Sequence, residues 1–158
     1  MTKPIAPCLW FDNQAEEAAN FYVSVFKNSR VLQVDRFENA GPELNMEVVV
    51  VEFELDGRPF QAFNGGPEFK FSEAISFSID CADQEEVDYY WNAFTREGEP
   101  SQCGWLKDKY GVSWQIVPRL LIELLRDPDR ERAGRVMRQM LQMTKLDLAP
   151  LQAAYDQA

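Results

Sequence analysis

The run from Cys103 to Pro118 holds the densest set of groups able to do chemistry: a thiol (Cys103), a charged triplet (Lys107, Asp108, Lys109), the indoles of Trp105 and Trp114, a hydroxyl (Ser113) and an amide (Gln115). It reads as a β-hairpin in which the charged triplet interrupts two aromatic-rich strands. The chain has no histidine, so it lacks the commonest transition-metal ligand and the side chain best suited to proton transfer near neutral pH. Cys8, Cys81 and Cys103 have no Cys-x-x-Cys spacing, which gives neither a disulfide framework nor a zinc site. Their strand-like contexts predict buried, inert thiols.

The carboxylates carry bland expectations. Lys107, Asp108 and Lys109 read as a solvated turn rather than an acid/base pair, and Asp80 and Asp83 as caps of a following helix. Glu52 and Glu54 share a strand face with Val48 and Val50, which predicts a solvated edge rather than paired catalytic carboxylates. Arg126, Arg130, Arg132, Arg135 and Arg138 form a basic stretch that ion pairs with Glu123, Asp127, Asp129 and Glu131 account for. Asn64-Gly65-Gly66-Pro67 follows a strand but precedes no helix, so it reads as a linker loop, not a phosphate cradle.

These groups sit in a chain of 158 residues, 46% hydrophobic and 27% charged, the composition of an ordinary globular unit. Its formal net charge of −10 repels phosphate backbones and anionic lipid, so no nucleic-acid partner is expected. No apolar run approaches the roughly 20 residues that span a bilayer, and no membrane partner is expected. Met1-Thr2-Lys3-Pro4-Ile5 has no apolar segment behind its lysine, so a cytoplasmic location is the expectation.

The elements that must position the groups repeat. A strand over Ile5 to Phe11 leads into a helix with apolar Ala18, Phe21, Tyr22 and Val25, capped by Asn13 or Asp12 with Glu16 behind. An alternating strand from Ala74 to Cys81 leads into a second helix with Val87, Tyr90, Trp91 and Phe94, capped by Asp83 with Glu86 behind. A shift of 69 residues superposes the two helical patterns, which predicts an internal duplication. The first half continues with strands over Arg30 to Phe37, Met46 to Leu55 and Arg58 to Asn64, the last two joined by the hairpin turn Asp56-Gly57. The second half allows only Ser101 to Lys107 and Val112 to Val117, so one of its expected three strands is shortened or merged. From Arg119 the pattern is helical: Leu120, Leu121, Leu124 and Leu125, then Ala133, Val136, Met137, Met140 and Leu141, then Leu146 to Tyr155 with Asp147 as cap.

The opening Pro7-Cys8-Leu9-Trp10-Phe11-Asp12, followed by Ala15-Glu16-Glu17-Ala18 and Phe21-Tyr22, together with Phe63 to Pro67 and Lys107 to Gln115, resembles the PhnB-like branch of the glyoxalase/bleomycin-resistance/dioxygenase superfamily, the vicinal oxygen chelate proteins. Members of this branch carry the label 3-demethylubiquinone-9 3-methyltransferase. The resemblance implies an α+β fold, with tandem βαβββ modules forming a curved mixed sheet around a cleft, plus a C-terminal helical extension. It sets a domain at residues 1–118, with modules 4–65 and 70–118, and the extension at 119–158. It also implies a homodimer.

In metal-using members four side chains project into the cleft. Carried over, those positions fall at Pro7, near Ala74, at Gln115, and at Phe60 or Gln61. None is a good ligand, because proline and alanine offer no side-chain donor atom and a neutral amide oxygen binds a divalent transition metal weakly. No metal and no cofactor are therefore expected. The methyltransferase label lacks physical support, since no Gly-x-Gly turn of a doubly wound domain occurs.

Strand alternation assigns faces. Ile75, Phe77 and Ile79 are expected against helices, leaving Ala74, Ser76 and Ser78 toward the cleft. The repeat sends Leu9 and Phe11 inward as well, and Ser113 and Gln115 on the last strand. The expected small-molecule site is Leu9, Phe11, Gln61, Phe63, Ser76, Ser78, Trp105 and Gln115, a mixture of aromatic and hydrogen-bonding groups. The leading expectation is a metal-free module that binds a small, partly aromatic molecule in a dimeric cleft. The alternatives are an uncharacterised enzyme of the same superfamily, and a regulatory protein whose helical tail is the interface.

Overall fold

Three residues, Asp12 to Gln14, join the first strand, β1 (Cys8–Phe11), to the first helix, α1 (Ala15–Val25). The structure, a computed structural model, describes residues 3–39 and 47–157. These fall into two compact units, with the boundary between Phe71 and Ser72. After α1 the first unit continues with β2 (Arg30–Phe37), β3 (Val48–Leu55) and β4 (Arg58–Asn64), in the sheet order β1-β4-β3-β2. The parallel pairing of β1 with β4 makes the sheet mixed. Met46, expected to begin the third strand, lies outside the described residues.

Burial along β3 alternates residue by residue, as it must when one sheet face lies under a helix. Val49, Val51, Phe53 and Leu55 are sealed, and the Phe53 ring stacks with Tyr22 of α1 at 6.5 Å between centroids. Asp56 and Gly57 both take positive φ, 50° and 74°, the backbone that a two-residue hairpin turn needs. Glu52 and Glu54 lie on the face away from α1, and β3 is an interior strand, not the solvated edge the sequence suggested. Glu54 pairs with Arg30 of β2 across 3.2 Å.

The second unit repeats the topology with β5 (Ser76–Cys81), α2 (Gln84–Thr95), β6 (Glu99–Pro100), β7 (Trp105–Lys107) and β8 (Ser113–Pro118), in the order β5-β8-β7-β6. The shortened strand is β6, with two residues. Asp83 caps α2 by accepting the Glu86 N–H at 2.9 Å, and Glu86 accepts the Ala82 N–H in return. In the first unit the cap differs from expectation. Neither Asp12 nor Asn13 caps α1; the side chain of Asn64, at the end of β4, accepts the Ala15 N–H at 2.8 Å.

The same local difference corrects the face assignment of the first strand. Two residues, Ala82 and Asp83, join β5 to α2, one fewer than join β1 to α1. The shift of 69 therefore holds for the helices but not the strands, and a one-residue slip exchanges the two faces of a strand. Leu9 and Phe11 are buried, sharing the α1 side with Val51 and Ala62, while Cys8, Trp10, Gln61 and Phe63 occupy the opposite face. Ile75 is also corrected: it precedes β5 and is 73% exposed.

Asp108 was read as a solvated turn residue, yet it is 4% exposed. Its Oδ1 accepts the N–H groups of Tyr110 and Val112 at 2.9 and 3.0 Å, and its Oδ2 accepts the Trp114 indole N–H at 2.9 Å. Trp114 in turn stacks on Phe94 of α2 with centroids 4.7 Å apart. One carboxylate thus closes the β7–β8 turn and fixes the tryptophan that seats the helix.

Three further helices complete the second unit: α3 (Arg119–Leu125), α4 (Arg130–Met140) and α5 (Leu148–Asp156). Leu121, Leu124, Val136, Met143, Leu146 and Leu151 form a core of their own, against which Val117 of β8 packs. Backbone bonds from Cys103 N to Met143 O (2.9 Å) and Gly104 N to Thr144 O (2.8 Å) tie this extension to the turn before β7. Gln84 of α2 adds a second tie, donating to Leu146 O and accepting from Leu148 N. The arginine stretch acts less through ion pairs than expected. Arg135 donates to the carbonyls of Ala154, Tyr155 and Gln157, closing the end of α5, and Arg130 donates to those of Leu125 and Asp127.

Asp108→Ala strands three N–H donors, two of them buried, and we expect a loss of about 3 kcal/mol in urea unfolding. Asp108→Asn retains acceptor capacity and loses less.

Candidate functional site

The face of the second sheet away from α2 carries Ser76, Ser78 and Asp80 on β5, Ser113, Gln115 and Val117 on β8, and Trp105 on β7, because partners across the ladder share a side. Trp105 pairs with Gln115, and Gln115 with Ser78. Gln115 Nε2 donates to Ser76 Oγ at 2.9 Å, which orients the amide along the sheet. Over this face, α3 brings Leu121, Ile122 and Leu125, α4 brings Met140, and the segment before α5 brings Leu146. The result is a pocket of about 260 Å³ with an apolar roof and a floor that includes Ser78, Asp80, Gln115 and Trp105.

Of the residues expected at the site, Ser78, Trp105 and Gln115 line this pocket, and Ser76 is bonded to Gln115. Gln61 and Phe63 lie on the open face of the first sheet, where the Phe63 ring meets Trp10 edge-on at 4.9 Å. Leu9 and Phe11 lie on the α1 side of that sheet, for the parity reason already given. Sequence reasoning missed the roof, since nothing in the leucine spacing of the tail says which surface it covers.

Cys103 was expected in a strand. It occupies a turn instead, with φ of 60°, and lines the pocket. Gly104, with φ of 83°, follows it, and a Cβ there would fall 2.9 Å from both Ile116 O and a Leu146 methyl. Only glycine lets the extension approach this closely. Cys8 is exposed and Cys81 buried. Burial above all, then the nearby carboxylates of Glu86, Asp80 and Asp83, push the Cys81 thiol up to about 12. Asp80 itself pairs with Arg119 at 2.8 Å.

The described residues at the positions carried over from metal-using members do not fit a divalent transition metal. Pro7 offers a carbonyl already bonded to the Gln61 N–H at 2.9 Å, Ala74 is exposed ahead of β5 and has no side-chain donor atom, and Gln115 offers a neutral amide oxygen, a weak ligand. Among the described residues no group of three or more His, Cys, Asp or Glu side chains is placed to hold a metal ion. Nor is any helix among them long and apolar enough to cross a membrane.

The family described as 3-demethylubiquinone-9 3-methyltransferase matches residues 3–117. The chain belongs to it. The PhnB protein from Bacillus cereus is 31% identical, superposes with a TM-score of 0.66, and is covered over 99% of its length by 73% of this chain. A Pseudomonas aeruginosa protein, 16% identical over 74% of this chain and 98% of its own, has a TM-score of 0.57. FosX from Listeria monocytogenes, a fosfomycin resistance protein solved with Mn(II) and sulfate, is 11% identical over 72% of this chain and 89% of its own, with a TM-score of 0.52. The last two likenesses concern fold alone. No curated protein matches the chain. The family match and the 31% identity to the PhnB protein make this a PhnB-like protein, and its fold is α+β with two four-stranded mixed sheets. The extension after Pro118, which roofs the pocket, lies beyond the family match.

Raising the Cys81 pKa from 9.0 to about 12 favours the neutral thiol in the folded state. That contribution is complete below pH 9 and lost as pH rises toward 12, where the unfolded thiol ionises first. Stability measured against Cys81→Ala should therefore fall more steeply with pH across this window in the parent protein.

Proposed function

We propose that this PhnB-like protein is a metal-free binding module that takes a small, partly aromatic molecule into the pocket under its C-terminal helices. The observation that carries the reading is the pocket itself: apolar side chains from the extension above, and a neutral amide, a hydroxyl, an indole and the Arg119-paired carboxylate of Asp80 below. This is the usual make-up of a small-molecule site, an apolar cavity with a few placed polar groups. Its volume of about 260 Å³ favours a compact ligand. Among the described residues no lysine or arginine lines it while Asp80 does, and with the net charge of −10 this disfavours anions.

Gln115 keeps an amide oxygen and a second N–H beyond its bond to Ser76, so a ligand amide or lactam matches it in donor and acceptor. The methyl transfer named in the family description is not part of this proposal, because each sheet is mixed rather than doubly wound and parallel. A homodimer belongs to the proposal on the family resemblance, and a cytoplasmic location is proposed with it.

The test is elemental analysis of the purified chain together with benzamide titration followed by tryptophan fluorescence. We expect substoichiometric metal, saturable binding, and about tenfold weaker binding in Gln115→Ala, the effect of one hydrogen bond. Stoichiometric zinc, nickel, iron or manganese, or benzamide affinity indifferent to Gln115→Ala, contradicts the reading. A monomer mass in light scattering removes the dimer alone.

A further inference from the structure

Trp105 stands between two cavities on one face of the second sheet, since it lines both the pocket over Gln115 and a second cavity of about 160 Å³. The second is bounded by Glu73, Glu99, Lys107 and Ser113. Ser113 is 2% exposed, and its Oγ is a buried side-chain polar atom with no hydrogen-bond partner among the described residues. An orphaned buried hydroxyl costs about 1–3 kcal/mol, and such exceptions call for an explanation.

The charges around it are not balanced. Lys107 is ion-paired with Glu73 and stands opposite Glu99 in the β6–β7 ladder, which leaves one carboxylate in excess. A donor-rich cation answers both features, since it supplies hydrogen bonds to a hydroxyl oxygen and offsets the carboxylate. Ser113 and Gln115 are alternate residues on one strand, so their side chains rise from the same face about 6.7 Å apart.

We propose that the second cavity is an ammonium subsite continuous with the pocket, and that the ligand class is an arylalkylamine. The ring lies under Leu121 and Leu146, a chain of two or three carbons passes Trp105, and the amine reaches Ser113 Oγ and Glu99. This rests on the reading of the pocket as a ligand site, and it is tested separately from it.

Isothermal titration of the full chain with 3-phenylpropylamine, 3-phenylpropanol and 3-phenylpropionate, with benzamide as a probe of the pocket alone, decides the matter. The amine is expected to bind at least about tenfold more tightly than the carboxylate and more tightly than the alcohol. Ser113→Ala should weaken the amine about fivefold and Glu99→Gln should weaken it too, with benzamide unchanged in both. Ser113→Ala should not lower the thermal midpoint, because no hydrogen bond of the free protein is lost. If benzamide binds while the amine shows no advantage, or Ser113→Ala leaves amine affinity intact, the subsite is wrong and the pocket reading stands. An alcohol that matches the amine overturns the ammonium assignment. No binding by any probe overturns both.

Discussion

The second unit is organised around the carboxylate of Asp108. Three hydrogen bonds to it hold the β7–β8 turn and the Trp114 indole at once, and Trp114 then seats α2 through Phe94. With the turn fixed, the β7–β8 register is fixed, and that register places Trp105 beside Gln115 and Lys107 beside Ser113. A buried carboxylate is tolerated because N–H donors replace the water it gives up. Gln115, Trp105 and Ser113 are therefore positioned, at one remove, by a residue proposed to meet no ligand.

A second constraint acts on the opposite side of the sheet. A strand sends alternate side chains to opposite faces, and α2 covers only one of them. The extension covers the other, held by the Met143 and Thr144 carbonyls at the Cys103-Gly104 turn, by Gln84, and by an apolar core that includes Val117. Because the family match ends at residue 117, the pocket joins a floor inside the matched region to a roof supplied by the chain beyond it. Ligand selectivity under this account belongs mainly to the roof, and polar recognition to the floor.

Much of this was legible in the residues. The strand expectations over Arg30 to Phe37 and, after the Asp56-Gly57 turn, Arg58 to Asn64 match β2 and β4 to the residue, and the twin helical stripes announced the repeated topology. The faces of β5 and β8 followed from alternation, which is why Ser78 and Gln115 were expected on the side where the pocket lies. What failed did so for local reasons. One additional residue between β1 and α1 reversed the parity of Leu9 and Phe11 and moved the cap of α1 from Asn13 to Asn64, a residue 49 positions along the chain from Ala15. Asp108 sits between two lysines, and only the turn's inward geometry shows that its carboxylate is buried. The roof depended on tertiary docking, which leucine periodicity does not encode.

The central claim is that ligands enter beneath the extension in the second unit. Methyl NMR of the full chain, with benzamide added stepwise, tests it most directly. The account predicts shifts at the methyl groups of Leu121, Ile122, Leu125, Met140 and Leu146, with those of Val49, Val51 and Leu55 in the first unit unmoved. Shifts confined to the first unit, or none under the extension at saturating probe, would contradict it.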